Sequence, residues 1–365
     1  MADNVTMSTA ATELPPLPSY TLIERPNLIS WFPDALLSIF APIAAYWIVS
    51  VFFHVIDEYD VWPQYRLHTP AEISQRNRAT RYEVFRDVIF QQVIQAGMSF
   101  ALDILDPPQT MGKEDYDVAV WATRIRLAQR AFPAILRLLG LNAAAISKNM
   151  SVSHPLLAGV LAGGHYPFLT TSLAGPDGSF VPAFASWELV VAKAIYHIII
   201  PAIQFIVAVV FLDTWQYFLH RTTFHSRHHR LYVPYAYGAL YNHPFEGFLL
   251  DTAGAGLAYK FAGMTQRQGI VFWVMSTIKT VDDHCGYSLP WDPIQHISGN
   301  NAAYHDIHHQ SWGIKTNFSQ PFFTFWDALL GTMWRGDTTL KYERTKNRAQ
   351  ETLEANAKKA SVKAQ

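Results

Sequence analysis

Two long uncharged runs dominate the hydrophobic pattern of the chain. Residues 35–56 carry no charge between Asp34 and Asp57, and residues 194–212 carry none between Lys193 and Asp213. Each is close to the roughly 20 apolar residues that a membrane-spanning helix needs. Both are therefore predicted spans, with Pro42 and Pro201 as kink sites that neighbouring helices can accommodate. Residues 248–264 and 269–278 are apolar too, but Asp251, Gly254, Gly256 and Lys260 interrupt the first and the second is short. Together they predict a tilted or re-entrant hairpin that returns the chain to the side it left. Between the two spans, Thr69-Pro70-Ala71-Glu72 supplies a cap, a proline at the first helical position and a glutamate at the third, a strong helix start. Val84, Phe85, Val88, Ile89 and Val93 then follow helical spacing and predict an amphipathic helix at the level of the lipid headgroups. Residues 121–141, with Arg124, Arg126, Arg130 and Arg137, predict another surface helix. Residues 153–182 hold Pro176-Asp177-Gly178 and predict a loop or insertion.

Composition supports the lipid setting. Of 365 residues only 16% are charged and 14% are aromatic, against roughly 25% charged in an ordinary soluble domain. A soluble protein with buried core helices is the alternative to a membrane protein. The first residues show no basic stretch followed by an apolar one, so they predict a disordered lead-in rather than a signal peptide. The net charge of −1 gives no whole-chain signal for nucleic acid, and the single Cys285 forms no internal disulfide. Charge is uneven along the chain: Arg66, Arg76, Arg78, Arg81 and Arg86 follow the first span. The positive-inside tendency places that segment in the cytosol. An even number of later crossings is expected to place the region beyond residue 212 there as well.

That region carries the chemistry. Ten of the 15 histidines lie between His220 and His309. Two clusters within it repeat one spacing, His225-Ser226-Arg227-His228-His229 and His305-Asp306-Ile307-His308-His309. On a helix, positions i, i+3 and i+4 share a face, so each cluster is expected to aim three imidazoles at one point. A single histidine on an apolar face is usually a core residue, but two such clusters, with His220, His243 and His284 alongside, indicate a metal centre. Imidazole without thiolate suits iron, copper, zinc or nickel. The zinc protease pattern H-E-x-x-H and the paired E-x-x-H of soluble di-iron bundles are both absent. Zinc has no redox chemistry, whereas attack on an unactivated C–H bond needs a redox metal, which favours iron. Asp213, Asp283 and Asp306 are expected to orient histidines through hydrogen bonds.

The run from Asp213 to Thr332 closely resembles the fatty acid hydroxylase/sterol desaturase family, and within it the fungal sphingolipid C-4 hydroxylases. The residues that carry the resemblance are Asp213 to Arg221, Thr223 to His229, Tyr241-Asn242-His243-Pro244-Phe245-Glu246-Gly247, Val281 to Tyr287, Asn301 to His309, Phe325-Trp326-Asp327 and Gly331-Thr332. His68-Thr69-Pro70-Ala71-Glu72 matches more loosely. The resemblance implies an all-α integral membrane helical bundle of the endoplasmic reticulum, with a histidine-rich di-metal site facing the cytosol. It implies two iron ions, molecular oxygen, and electrons from NAD(P)H delivered through cytochrome b5 and its reductase. The substrate implied is a sphingoid base or ceramide, hydroxylated at carbon 4. As metal ligands it implies His220 in the first histidine box, His225, His228 and His229 in the second, and His305, His308 and His309 in the third, with His284 ahead of the last. His243 and His296 are weaker ligand candidates. The expected organisation is a lead-in over 1–30, a membrane and amphipathic-helix region with an insertion over 31–190, a catalytic domain over 191–335 and a polar tail over 336–365.

One departure changes the expectation. The family's first box has two histidines and a short segment before the second box, yet here His220-Arg221 runs almost directly into Thr222-Thr223-Phe224-His225. On a continuous helix His225 would lie about 140° from His220 and His229 about 180° from it, so the three would not share a face. The sequence therefore also admits a catalytically impaired paralogue that binds lipid or a partner subunit, and a related sterol or lipid desaturase.

Overall fold

The computed structural model describes residues 14–172, 180–222 and 226–364. It is mostly helical, and its described strands are limited to two short antiparallel ribbons. The chain divides into two compact units, one of residues 26–107 and 204–365, the other of residues 1–25 and 108–203.

Three helices are long and apolar enough to cross a membrane: Asp34–Glu58, Arg81–Leu105 and the run Ser186–Thr222, with mean hydropathies of 2.1, 1.4 and 2.4. Their unpartnered faces are greasy, with Ile48, Phe52, Val93, Ile203 and Ile206 all exposed. In water that would be a liability; in lipid it is the expected surface. The chain is a membrane protein with a site on its helix ends. The Arg81–Leu105 helix corrects the sequence reading, which laid it flat at the headgroups. Its apolar stretch lies between Asp87 and Asp103, and its polar Gln91 and Gln92 are buried against protein instead of marking a solvent face. Gln92 accepts a hydrogen bond from Trp47 Nε1 at 3.1 Å.

The correction also repairs the crossing count. Between Arg66 and His220 the sequence pattern marks one span, which would leave the two on opposite sides; the structure has two helices there that are long and apolar enough to cross. Residues 59–80 and the histidines thus return to one side. Contacts require this, since Arg66 pairs with Tyr287 and His68 reaches Asp306.

In the larger unit the Asp34–Glu58 helix packs along Gln266–Asp283, tied at one end by Arg267 Nε to Asp34 at 2.8 Å. The expected hairpin is helical: a π-turn at Phe248–Ala253, the helix Gly254–Phe261, then a tight turn through Gly263 at φ 63° into Gln266–Asp283. The Thr69 and Glu72 capping box forms as expected and opens the helix Pro70–Arg76.

In the smaller unit the helix Glu114–Ala128 packs on Ser186–Ala194. The buried Arg126 lies over Tyr166 and pairs with the buried Glu188. The single surface helix expected over 121–141 is broken at Gln129 and Arg130 into Glu114–Ala128 and Ala131–Leu138. The insertion is not all loop, because it holds the helix Pro155–Leu161 and a ribbon pairing Thr170–Ser172 with Phe180–Pro182. The Pro176-Asp177-Gly178 turn lies outside the described residues. Pro201 follows a π-helical turn at Ile195–Ile199, where widening of the helix takes up the backbone bond that proline cannot make.

Candidate metal centre

Seven histidines come from four stretches of chain. His220 ends the helix Ile200–Thr222. His228 and His229 open a 3₁₀ turn, His228–Arg230. His284 closes Gln266–Asp283. His305, His308 and His309 ride the helix Ala302–His309, whose start is fixed by Asn301 accepting from Tyr304 N at 3.0 Å. All seven side chains are buried.

Their ring nitrogens form two groups, His228, His284, His305 and His309 in one, and His220, His229 and His308 in the other. This corrects the expectation that each H-x-x-H-H cluster serves one point. His308 parts from His305 and His309, and His228 from His229, so both clusters contribute to both groups. The continuous-helix premise also fails, because Ser226 and Arg227 form a turn and His229 reaches His308 from the 3₁₀ turn that follows at 2.9 Å.

Hydrogen bonds to backbone carbonyls fix the tautomer of five of the rings. Nδ1 of His220, His228, His284, His308 and His309 lies 2.7–3.0 Å from the carbonyl oxygens of Phe318, Tyr241, Thr280, Thr316 and Leu231. A carbonyl only accepts, so each Nδ1 donates and each Nε2 carries a lone pair. Those Nε2 atoms nevertheless converge: His228 to His309 at 3.1 Å and His228 to His284 at 3.1 Å. Two acceptors that close repel each other unless a cation lies between them. Adjacent ligands at about 2.1 Å from a shared metal stand about 3 Å apart, the spacing seen here. The donor set fits two metal ions.

Electrostatics agree. Burial pushes His228, His305, His308 and His309 well below the usual imidazole range, with the neighbouring histidines adding to the effect. Burial takes His229 to about 3 and His284 to about 4. The rings are neutral at physiological pH, the form that binds metal.

The surrounding shell holds these rings by their backbone acceptors. Asp213 does not touch a histidine; its carboxylate accepts from Phe322 N at 3.1 Å and Phe323 N at 2.6 Å. Asp283 pairs with Lys279, whose Nζ also donates to Asn300 O at 3.1 Å. Asp306 turns away from the ring groups toward His68 at 2.9 Å and accepts from Tyr342 Oη at 2.5 Å. His243 caps a short helix at an exposed position, and His296 is exposed near Pro290 O; neither joins a group. His225 lies outside the described residues.

Two features carry weight that spacing alone did not reveal. Asp327, fully buried, accepts from Phe318 N at 3.0 Å, Ser319 N at 2.7 Å and Tyr304 Oη at 2.8 Å. It thereby sets the Phe318 carbonyl that orients His220, which gives the Phe325-Trp326-Asp327 motif a physical role. The second is the buried set His68, Glu72 and Asp306. Burial opposes charge on His68, but Asp306 and Glu72 on either side outweigh it and lift the imidazole to about 9. Burial also opposes charge on Glu72, yet His68 outweighs it and holds the carboxyl at about 2. Beneath the third box Gly313 is obligatory, since a Cβ there would meet Ile307 O at 2.0 Å. The turn it permits carries the Thr316 carbonyl to His308.

The fatty acid hydroxylase family model matches residues 205–332, the stretch that contains all seven grouped histidines. The sphingolipid C4-hydroxylase SUR2 of Saccharomyces cerevisiae is 38% identical over 328 residues, covering 87% of this chain and 77% of that protein. The sphingolipid C4-hydroxylase sur2 of Schizosaccharomyces pombe is 39% identical over 329 residues, covering 87% and 94%. Sphinganine C4-monooxygenase 2 of Arabidopsis thaliana is 34% identical over 308 residues, covering 82% and 88%. No solved structure matches the chain.

Proposed function

This chain belongs to the fatty acid hydroxylase family, and we propose that it hydroxylates carbon 4 of sphinganine or dihydroceramide in the endoplasmic reticulum membrane. The observation that carries this reading is the pair of buried histidine groups whose ring nitrogens converge beside the end of the long apolar helix Ile200–Thr222. His228, His284, His305 and His309 would hold one iron ion, and His220, His229 and His308 the other, with His225 completing the second box. The iron pair supplies oxygen activation when bound, with O2 and two electrons from NAD(P)H through cytochrome b5 and its reductase. The balance is one C–H bond and O2, with two electrons and two protons, giving one C–OH bond and water. The chain's own residues do the rest. Backbone carbonyls fix the ring orientations, burial keeps the rings neutral, and the site lies on the cytosolic side, within reach of the electron donor.

A second reading, a catalytically impaired paralogue, is favoured by one observation: the first box contributes only His220, and among the described residues its group has three imidazoles where the other has four. Loss of a ligand costs more than the roughly 10–100-fold typical of changes around the ligands. The test is the yield of 4-hydroxylated sphingoid bases in cells lacking their own C-4 hydroxylase. Two forms are compared at matched expression, the chain as it stands and one with the family's missing segment and its histidine inserted after Arg221. The hydroxylase reading expects product from the chain as it stands; the impaired reading expects it only from the form with the inserted segment. No product from either removes the hydroxylase reading, and full product from the first removes the impaired one.

A further inference from the structure

We propose that Asp251 receives the ammonium group of the substrate, so that the chain selects the free long-chain base over its N-acylated form; this rests on the sphingolipid reading above. A cavity lies among the Asp34–Glu58, Arg81–Leu105 and Ile200–Thr222 helices and the hairpin, with walls that include Ile43, Leu102, Leu212, Leu240 and Trp273. Among the described residues lining it, Asp251 is the only aspartate, glutamate, lysine, arginine or histidine. Its Oδ2 accepts from Asn242 Nδ2 at 3.1 Å, and its Oδ1 accepts weakly from Gln216 Nε2 at 3.4 Å. Both donors are neutral amides, and among the described residues no lysine, arginine or histidine pairs with Asp251.

A carboxylate facing apolar walls without a cation is costly. Two amides also fill only half of its roughly four acceptor positions. The missing partner is a cation carried by a molecule that is otherwise apolar, which describes an alkylammonium. The position of Asp251 relative to the metal centre fits that guest. Gln216 precedes His220 by one turn of the same helix, about 6 Å along its axis. Asn242 follows Tyr241, whose carbonyl accepts from His228. The amine of a sphingoid base sits on carbon 2, so an ammonium anchored at Asp251 brings carbon 4 toward the imidazoles and leaves the alkyl tail for the apolar walls. Ser276 Oγ, buried, without a partner and lining the same cavity, is available to a substrate hydroxyl. Acylation turns the ammonium into a neutral amide that cannot pair with the carboxylate.

The test is equilibrium binding of radiolabelled sphinganine and N-acetylsphinganine to the full chain in detergent, so that product formation does not enter. We expect the native chain to favour sphinganine by at least about tenfold, the scale of one charge-assisted hydrogen bond. Asp251→Asn should lose that preference while binding N-acetylsphinganine as the native chain does, and Asp251→Glu should keep it. Absence of a preference in the native chain overturns the proposal whatever the variants do, as does a preference that survives in Asp251→Asn. A chain with the expected binding pattern but no 4-hydroxylated product would leave Asp251 assigned and remove the hydroxylase reading; product without the preference would do the reverse.

Discussion

At the scale of single residues, His68 shows how the environment overrides intrinsic chemistry. It bonds Glu72 at 3.0 Å on one nitrogen and Asp306 at 2.9 Å on the other, so it is held as an imidazolium between two carboxylates. Its pKa of about 9 lies above the ordinary 6.5. The stabilisation is therefore complete below about pH 6.5 and is lost as pH rises through about 9. Its magnitude is about 3 kcal/mol from the shift at His68 alone. The thermal unfolding midpoint of the purified chain should fall between pH 7 and pH 9.5. His68→Gln should start lower and show a flatter profile over that range. A native profile as flat as the variant's would mean that His68 is neutral and the pairing is an ordinary hydrogen bond. His68 was visible in the sequence only as part of a cap motif, because its partner Asp306 is 238 residues away.

At the scale of elements, the helix Ala302–His309 divides its histidines between the two groups, and under the proposed two-ion reading this makes their substitutions unequal. Removing His308 leaves two imidazoles in a group of three; removing His228 leaves three in a group of four. Metal analysis of detergent-purified protein should therefore find about one ion lost per chain in His308→Ala, and more metal retained in His228→Ala. Equal losses in the two would contradict the split. The helix itself was legible from its i, i+3, i+4 spacing and the Asn301 cap. The split was not, because it depends on where His229 and His284 approach from, and those positions are set by a 3₁₀ turn and a helix end. Likewise Asp213 was expected to orient a histidine, since it sits a turn or two before His220 on one helix. Its carboxylate is taken instead by the backbone of Phe322 and Phe323, donors more than 100 residues away.

At the scale of the whole chain, the spans were readable where they are uncharged and hidden where they are not. Residues 35–56 and 194–212 announced themselves by composition. The Arg81–Leu105 helix did not, because its glutamines and end charges resemble a surface pattern until their burial is known. Its presence fixes the parity of the chain. Residues 23–24 and 110–111 are separated by two spans and meet in a ribbon, while residues 66–72 and 284–306, also separated by two, meet at Arg66, His68 and Asp306. One span more or fewer would break both meetings. With Arg66, Arg76 and Arg78 on the first of the segments that carry the site, the proposed orientation, following the positive-inside tendency, puts that side in the cytosol. Protease sites placed at residues 59–62 and after Trp334 should therefore both be cut in sealed microsomes while a lumenal marker survives. The polar helix Thr339–Ala364 packs on Pro70–Arg76 and bonds Asp306 and Glu72 through Tyr342 and Thr345. Protection of both sites would reverse the orientation and cut the metal centre off from a cytosolic electron donor. Protection of one alone would mean that a span has been miscounted.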